Sequence, residues 1–205
     1  MVYPHPQIFH HLKAIFVHVP KTAGTSVERS LLDGPSQVVG GHTTALGYRR
    51  AFPVEFGEYF KFALLRHPVD RFLSAFRYLR GMPAQEALRN ESVHRCGTLE
   101  AFVRKLKDEP ALLDWIVHIM PQHRFVCDGA GNLMLDRVLL FERLDSDWAS
   151  LCGTLGIPRK PLPRLNPSGR FHVECAVTDE VLEWIETAYE ADFRLGGYGS
   201  GGRGT

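Results

Sequence analysis

The chain has 205 residues, 44% hydrophobic and 23% charged, an ordinary balance for a folded globular protein that argues against wholesale disorder. Lys and Arg number 24 against 23 Asp and Glu, a net charge of +1. No molecule-wide basic field therefore invites nucleic acid, and any anion site must be a local cluster. Four cysteines, at 96, 127, 152 and 175, form no C-x-x-C pair; they read as small buried hydrophobes rather than a disulfide framework or zinc site.

The first residues show no basic region leading into an apolar run, and no stretch approaches the about 20 apolar residues of a membrane span. The expectation is a cytoplasmic protein without integral membrane contact. One α/β domain is expected over residues 1–195. A flexible tail is expected at 196–205, where six of ten residues are glycine and too little can be buried to offset the entropy of ordering.

Ala14-Ile15-Phe16-Val17 is a short, continuous apolar run, the mark of a strand covered on both faces. It stops at Pro20, and a helix is predicted from Gly24 to Leu32. Gln37-Val38-Val39 suggests a second strand and Phe60 to Leu65 another, halted by Pro68. Val69, Phe72, Leu73, Phe76 and Leu79 lie on one face of a helix predicted from Val69 to Arg80. Leu99, Phe102, Val103 and Leu106 mark a further helix. Arg137 to Phe141 reads as a late strand, and Asp145 to Leu155 as a helix closed by Gly156. Thr178 can cap a last helix whose first turn holds Asp179 and Glu180. Strands alternating with helices imply a parallel sheet flanked by helices.

Two stretches carry chemistry. His18-Val19-Pro20-Lys21-Thr22-Ala23-Gly24-Thr25-Ser26 lies between a buried strand and a helix. Gly24 permits close approach, Thr25 and Ser26 offer hydroxyls, Lys21 adds a charge, and the helix start aims unpaired N–H groups at one point. Together they make a phosphate cradle. It is not a Walker A loop, because the lysine precedes the only glycine. Arg66-His67-Pro68-Val69-Asp70-Arg71-Phe72-Leu73-Ser74 again sets a strand end against a helix start. Arg66 should emerge at the carboxyl edge of the sheet with Ser74 two turns along the helix, a fork and a hydroxyl suited to a second phosphate. The plainer readings are a capped helix with a solvated lysine, surface ion pairs at Arg66 and Arg71, and a packing serine at 74.

P-K-T-A-G-T-S after the first strand, followed later by R-H-P-x-x-R-x-x-S-x-F, resembles the sulfotransferases that use 3′-phosphoadenosine 5′-phosphosulfate (PAPS). The nearest likeness is to the carbohydrate branch, which includes the heparan and dermatan 2-O-sulfotransferases and the chondroitin enzymes. Leu162-Pro163-Arg164-Leu165-Asn166-Pro167-Ser168 and Tyr189 to Phe193 extend the resemblance, which spans about Ala14 to Tyr198. It implies a P-loop-like sulfotransferase fold. Lys21, Thr22, Ala23, Gly24, Thr25 and Ser26 would hold the 5′-phosphosulfate, and Arg66 and Ser74 the 3′-phosphate. Ser168, Gly169 and Arg170 would close a loop over the nucleotide, though Arg170 reads equally as a solvated loop residue.

The resemblance further implies transfer of a sulfuryl group to an acceptor hydroxyl, with a glycan as the leading candidate, and release of 3′-phosphoadenosine 5′-phosphate (PAP). Gly41-His42 matches the Gly-His that supplies the general base in the 2-O-sulfotransferase-like branch. His42 is therefore the candidate base, with Glu58 as the carboxylate alternative, while His18 and His67 are expected to shape the loops. Lys21 would stabilise charge during in-line transfer. Neither motif holds an acidic pair suited to magnesium, so no metal is expected. Arg49, Arg50, Arg77, Arg80, Arg89 and Arg95 are candidates to line an anionic acceptor's entrance, or simply solvated helix residues. The competing classes are a nucleotide kinase or NTPase-like protein, a non-catalytic nucleotide-binding module, and a protein-interaction domain.

Overall fold

The computed structural model describes residues 7–32, 41–82, 93–163 and 177–199. In chain order the regular elements begin with β1 (Ile8–Phe9), β2 (Ala14–Val17), α1 (Gly24–Leu31), α2 (Ala45–Ala51), α3 (Pro53–Glu58), β3 (Phe60–Leu65) and α4 (Pro68–Gly81). They continue with α5 (Leu99–Asp108), α6 (Leu112–Trp115), α7 (His123–Val126), β4 (Arg137–Leu140), α8 (Leu144–Leu155), α9 (Asp179–Ala188) and α10 (Glu190–Gly196). They divide between a first unit drawn from Met1–Arg66 and Gln122–Leu165, and a second drawn from His67–Pro121 and Asn166–Thr205.

The first unit holds the sheet, in the order β1-β2-β3-β4. β1 runs antiparallel to β2, and β2, β3 and β4 are parallel, with Val17 opposite Ala63 and Leu65 opposite Leu140. This is the expected α/β class, a mostly parallel sheet with helices packed on it. All four β2 residues are buried, as a continuous apolar run requires of an inner strand. The Lys61 ammonium sits 2.9 Å from the Asp136 carboxylate, which also accepts the Lys61 N–H at 2.7 Å and so fixes where β4 begins against β3. Phe16, Phe62, Leu64 and Leu139 share a core with Val27 and Leu31 of α1 and Trp148, Leu151 and Cys152 of α8. Along this face the rings of Phe60, Phe62 and Phe16 stack in succession, 6.2 and 5.1 Å apart.

The register decides where chemistry can gather. β2 and β3 are parallel neighbours, so His18 and Arg66 leave the sheet at the same edge, the carboxyl edge where α/β folds bind ligands.

The second unit is helical. Val69, Phe72, Leu73, Phe76 and Leu79 of α4 pack with Leu99, Phe102, Val103 and Leu106 of α5, with Val181 and Ile185 of α9, and with Tyr189 and Phe193. Pro68 occupies the first turn of α4, where its missing N–H costs nothing. Arg71 is fully buried. It donates to the carbonyls of His118, Ile119 and Met120 at 3.0, 3.3 and 2.7 Å, a clamp on irregular backbone rather than a surface ion pair. Thr178 caps α9 by accepting the Val181 N–H. α10 runs through Gly196 and closes on left-handed Gly197, with the Tyr198 N–H bonded to the Phe193 carbonyl at 3.0 Å.

Most expected elements match to within a residue or two. The strand suggested at 37–39, Ser168 to Arg170, Cys175 and Ser200 to Thr205 lie outside the described residues. Cys127 and Cys152 are buried, and Cys96 is half-buried. Among the described residues no helix is long and apolar enough to cross a membrane.

Candidate functional site

The loop from His18 to Gly24 is built from unusual backbone. Lys21 and Ala23 both have φ of 68°, in the left-handed region, a conformation that costs a non-glycine residue about 1–2 kcal/mol. Such strain is retained where the surroundings enforce it, and most often where a ligand binds. The Thr22 hydroxyl donates to the Val19 carbonyl at 2.9 Å and braces the turn from inside. α1 then starts from Ala23, which supplies no side-chain cap. Alanine is among the poorest residues at that position, so the positive end of α1 is left without a side-chain cap from Ala23.

Charge concentrates at the same place. Burial, with the nearby Arg66 guanidinium, pushes the Lys21 ammonium down to about 8. A lysine depressed by burial and a neighbouring cation suits an anion that compensates both charges. Arg66 is held from several sides. Its N–H donates to the Gln122 side-chain oxygen at 3.0 Å, while the Gln122 amide donates to the Arg66 carbonyl at 2.8 Å. Its guanidinium lies 4.4 Å from the centre of the Phe141 ring and reaches the Lys21 carbonyl at 3.5 Å. Gln122 is fully buried, so Arg66 leaves β3 at a fixed position.

His42 also comes to this edge. Its Nδ1 lies 2.9 Å from the His18 carbonyl. A carbonyl only accepts, so Nδ1 carries the hydrogen and the neutral ring keeps its lone pair on Nε2. The His42 ring meets the His18 ring edge-on at 4.8 Å. The segment is anchored behind: the Gln7 amide donates to the Gly41 carbonyl at 3.3 Å, and the Tyr48 hydroxyl donates to the Gln7 side-chain oxygen at 2.6 Å.

The structure thus gathers His18, Lys21 to Ser26, Arg66 and His42 within one unit. Ser74 lies half-buried on α4 of the second unit, where His67 packs against Phe193 and Tyr198. Glu58 is exposed at the end of α3, just ahead of the amino end of β3. Six strand residues, about 20 Å of rise, separate it from the edge that holds Lys21 and His42. Of the six arginines, Arg49 and Arg50 are exposed on α2, while Arg77 and Arg80 lie on α4 and Arg95 beyond it; Arg89 is outside the described residues. Among the described residues no three His, Cys, Asp or Glu side chains converge as metal ligands would. Gln122, Phe141, Tyr48 and Gln7 carry no motif that marks them in the sequence, and only Phe141, at the end of a recognisable strand, gives any local signal.

A mostly parallel sheet that brings Lys21, Arg66 and the start of α1 to its carboxyl edge is an α/β arrangement able to hold an anion. The chain belongs to the sulfotransferase family, whose profile matches residues 5–199, and the chemistry general to that family is transfer of a sulfuryl group to an acceptor. No individual curated protein matches the chain.

Proposed function

We propose that this protein transfers the sulfuryl group of PAPS to an acceptor hydroxyl, with His42 as general base and a carbohydrate as the acceptor class. The observation that carries the reading is the uncapped, left-handed turn at Lys21 and Ala23 beside Arg66. It joins two cations and a helix start with no side chain of its own to neutralise that start. PAPS supplies the sulfuryl group on a phosphate leaving group. Lys21 and the first N–H groups of α1 meet the charge at that bridge, with Thr22, Ala23, Gly24, Thr25 and Ser26 as the wall of the cradle. Arg66 takes the 3′-phosphate, and Ser74 is assigned to that phosphate by family resemblance alone. Ser168, Gly169 and Arg170 are assigned to the loop over the nucleotide by family resemblance alone.

The acceptor oxygen forms a bond to sulfur as the sulfur–oxygen bond to phosphate breaks, and PAP departs. The acceptor proton passes to Nε2 of His42, the nitrogen whose lone pair the His18 carbonyl secures. The position of Glu58, at the far end of β3, favours the imidazole over that carboxylate.

The test is calorimetry with PAP and AMP on the parent and on Arg66→Ala. A guanidinium–phosphate contact is worth about 1.5–3 kcal/mol, roughly ten- to a hundred-fold. The parent should therefore prefer PAP by that factor. Arg66→Ala should erase the preference by weakening PAP while leaving AMP little changed. Equal losses for both ligands would return Arg66 to a structural role and remove the case for PAPS over an ordinary nucleotide. Sulfuryl transfer from labelled PAPS to a panel of glycans then assigns the acceptor.

A further inference from the structure

The geometry points to His18, held by Glu28, as the positioning residue that sets the tautomer and aim of His42 and ties it to the first turn of α1. This rests on the reading of His42 as the base.

His18 touches His42 twice. Its carbonyl takes the Nδ1 hydrogen at 2.9 Å, and its ring meets the His42 ring edge-on, 4.8 Å between centres at 71°. His18 is itself immobilised. Its ring stacks on Phe16 at 5.4 Å and 19°, continuing the aromatic column of the sheet face. Its Nδ1 lies 3.5 Å from the Glu28 carboxylate, ion-pair rather than hydrogen-bond distance, with both side chains at most 5% exposed. A carboxylate buried this deeply on a short surface helix is costly to keep. A helix that only had to cover the sheet would place an apolar residue there.

The third contact links this pair to the cradle. A Cβ on Gly24 would overlap the His18 ring, so the glycine that opens α1 is required by the histidine as well as by any ligand. His18 thus stands between the N–H groups that face the donor and the imidazole that faces the acceptor. Its ring sets the spacing between them, and Glu28, one turn along α1, holds the ring in place. His42 depends on this hold because a free neutral imidazole populates both tautomers, and only the form with the lone pair on Nε2 keeps its basic nitrogen turned away from the His18 carbonyl.

The experiment uses the full chain with 15N-labelled histidine and reads the His42 ring nitrogens by NMR at a pH where the ring is neutral. The parent should show the Nδ1–H form as nearly the only species. His18→Ala keeps the main-chain carbonyl but removes the ring contact and the Glu28 tie that fix it against His42, so the Nδ1–H share should fall below the parent's, and in Glu28→Gln it should fall by a smaller amount. Glu28→Gln keeps the shape of the pair and is the variant to read if His18→Ala does not fold. An unchanged His42 tautomer in folded Glu28→Gln and His18→Ala overturns the inference. A change in His18→Ala alone overturns the role of Glu28. Calorimetry with PAP on the parent separates this from the functional reading: a parent that shows the Nδ1–H form but binds no PAP sinks the sulfotransferase site and leaves the positioning intact.

Discussion

Lys21 holds a strained backbone and a disfavoured charge together. Its φ lies at 68°, and burial with the neighbouring Arg66 pushes its ammonium from 10.5 down to about 8. Between those two values the unfolded chain keeps a proton that the folded chain has released. The stability of the ligand-free fold therefore rises with pH across that window, and below about 8 the charged lysine weighs against it. An anion at the loop needs the ammonium, so PAP affinity should decline as pH climbs past about 8. Lys21→Met keeps the stem and removes the charge. It should flatten that decline, lower sulfuryl transfer by a factor on the order of a hundred, and leave the ligand-free Tm at pH 7 equal to or above the parent's. Calorimetry and thermal melts across pH 6 to 10, with a labelled-PAPS transfer assay, check all three, and a pH-independent parent affinity would remove Lys21 from the anion site.

Single elements carry this arrangement through long-range partners. Gly24→Ala should drive its new methyl into the His18 ring, an overpacking cost of about 1–3 kcal/mol, and displace His42 along with it. A urea titration measures the first effect and loss of transfer the second. Undiminished activity would show that the ring yields freely. On α4, Arg71→Met keeps the buried volume but strips the donors from the carbonyls of His118, Ile119 and Met120. An unsatisfied buried acceptor costs about 1–3 kcal/mol, so a drop of about 3 kcal/mol in urea stability is expected; a change below the error of the titration would mean that water replaces the guanidinium.

The sequence is most readable where a signal is local. β2, β3 and α4 declare themselves by continuous apolar runs and a helical stripe, and the cradle by residues adjacent in the chain. α2 and α3 do not, because each is short. α2 is fixed by Tyr48 reaching back to Gln7, and α3 starts from Pro53 with no side-chain cap. The aim of Arg66 is equally hidden, since Gln122 and Phe141 hold it from distant parts of the chain. Arg71 reads as a surface cation because its carbonyl partners leave no trace in residue type.

At the scale of the whole molecule, a charge balance near neutrality confines electrostatic attraction to the few side chains at the sheet's carboxyl edge. The family profile runs across residues 5–199, which include residues of both units. Turnover on any acceptor should therefore require the full chain, and a fragment ending at Arg66 should show none. Measurable transfer by that fragment would confine the whole site to the first 66 residues.

β1 is only two residues long, yet it covers one flank of β2, and Gln7 extends that cover by accepting the Phe16 N–H at 3.0 Å. On the other flank of the sheet, Asp147 takes the Leu140 N–H at 2.8 Å. Three residues at the front of the described chain thus shield a four-residue apolar strand that would otherwise offer open backbone to another copy of itself. Removing residues 1–9 should take the buried Phe9 from the core and make the chain self-associate more than the full-length protein, visible as growing light scattering on standing. Gln7 also holds the Gly41 carbonyl, so the segment that keeps the sheet from polymerising is the one that keeps His42 in place, and a clipped chain would lose solubility and proton transfer together.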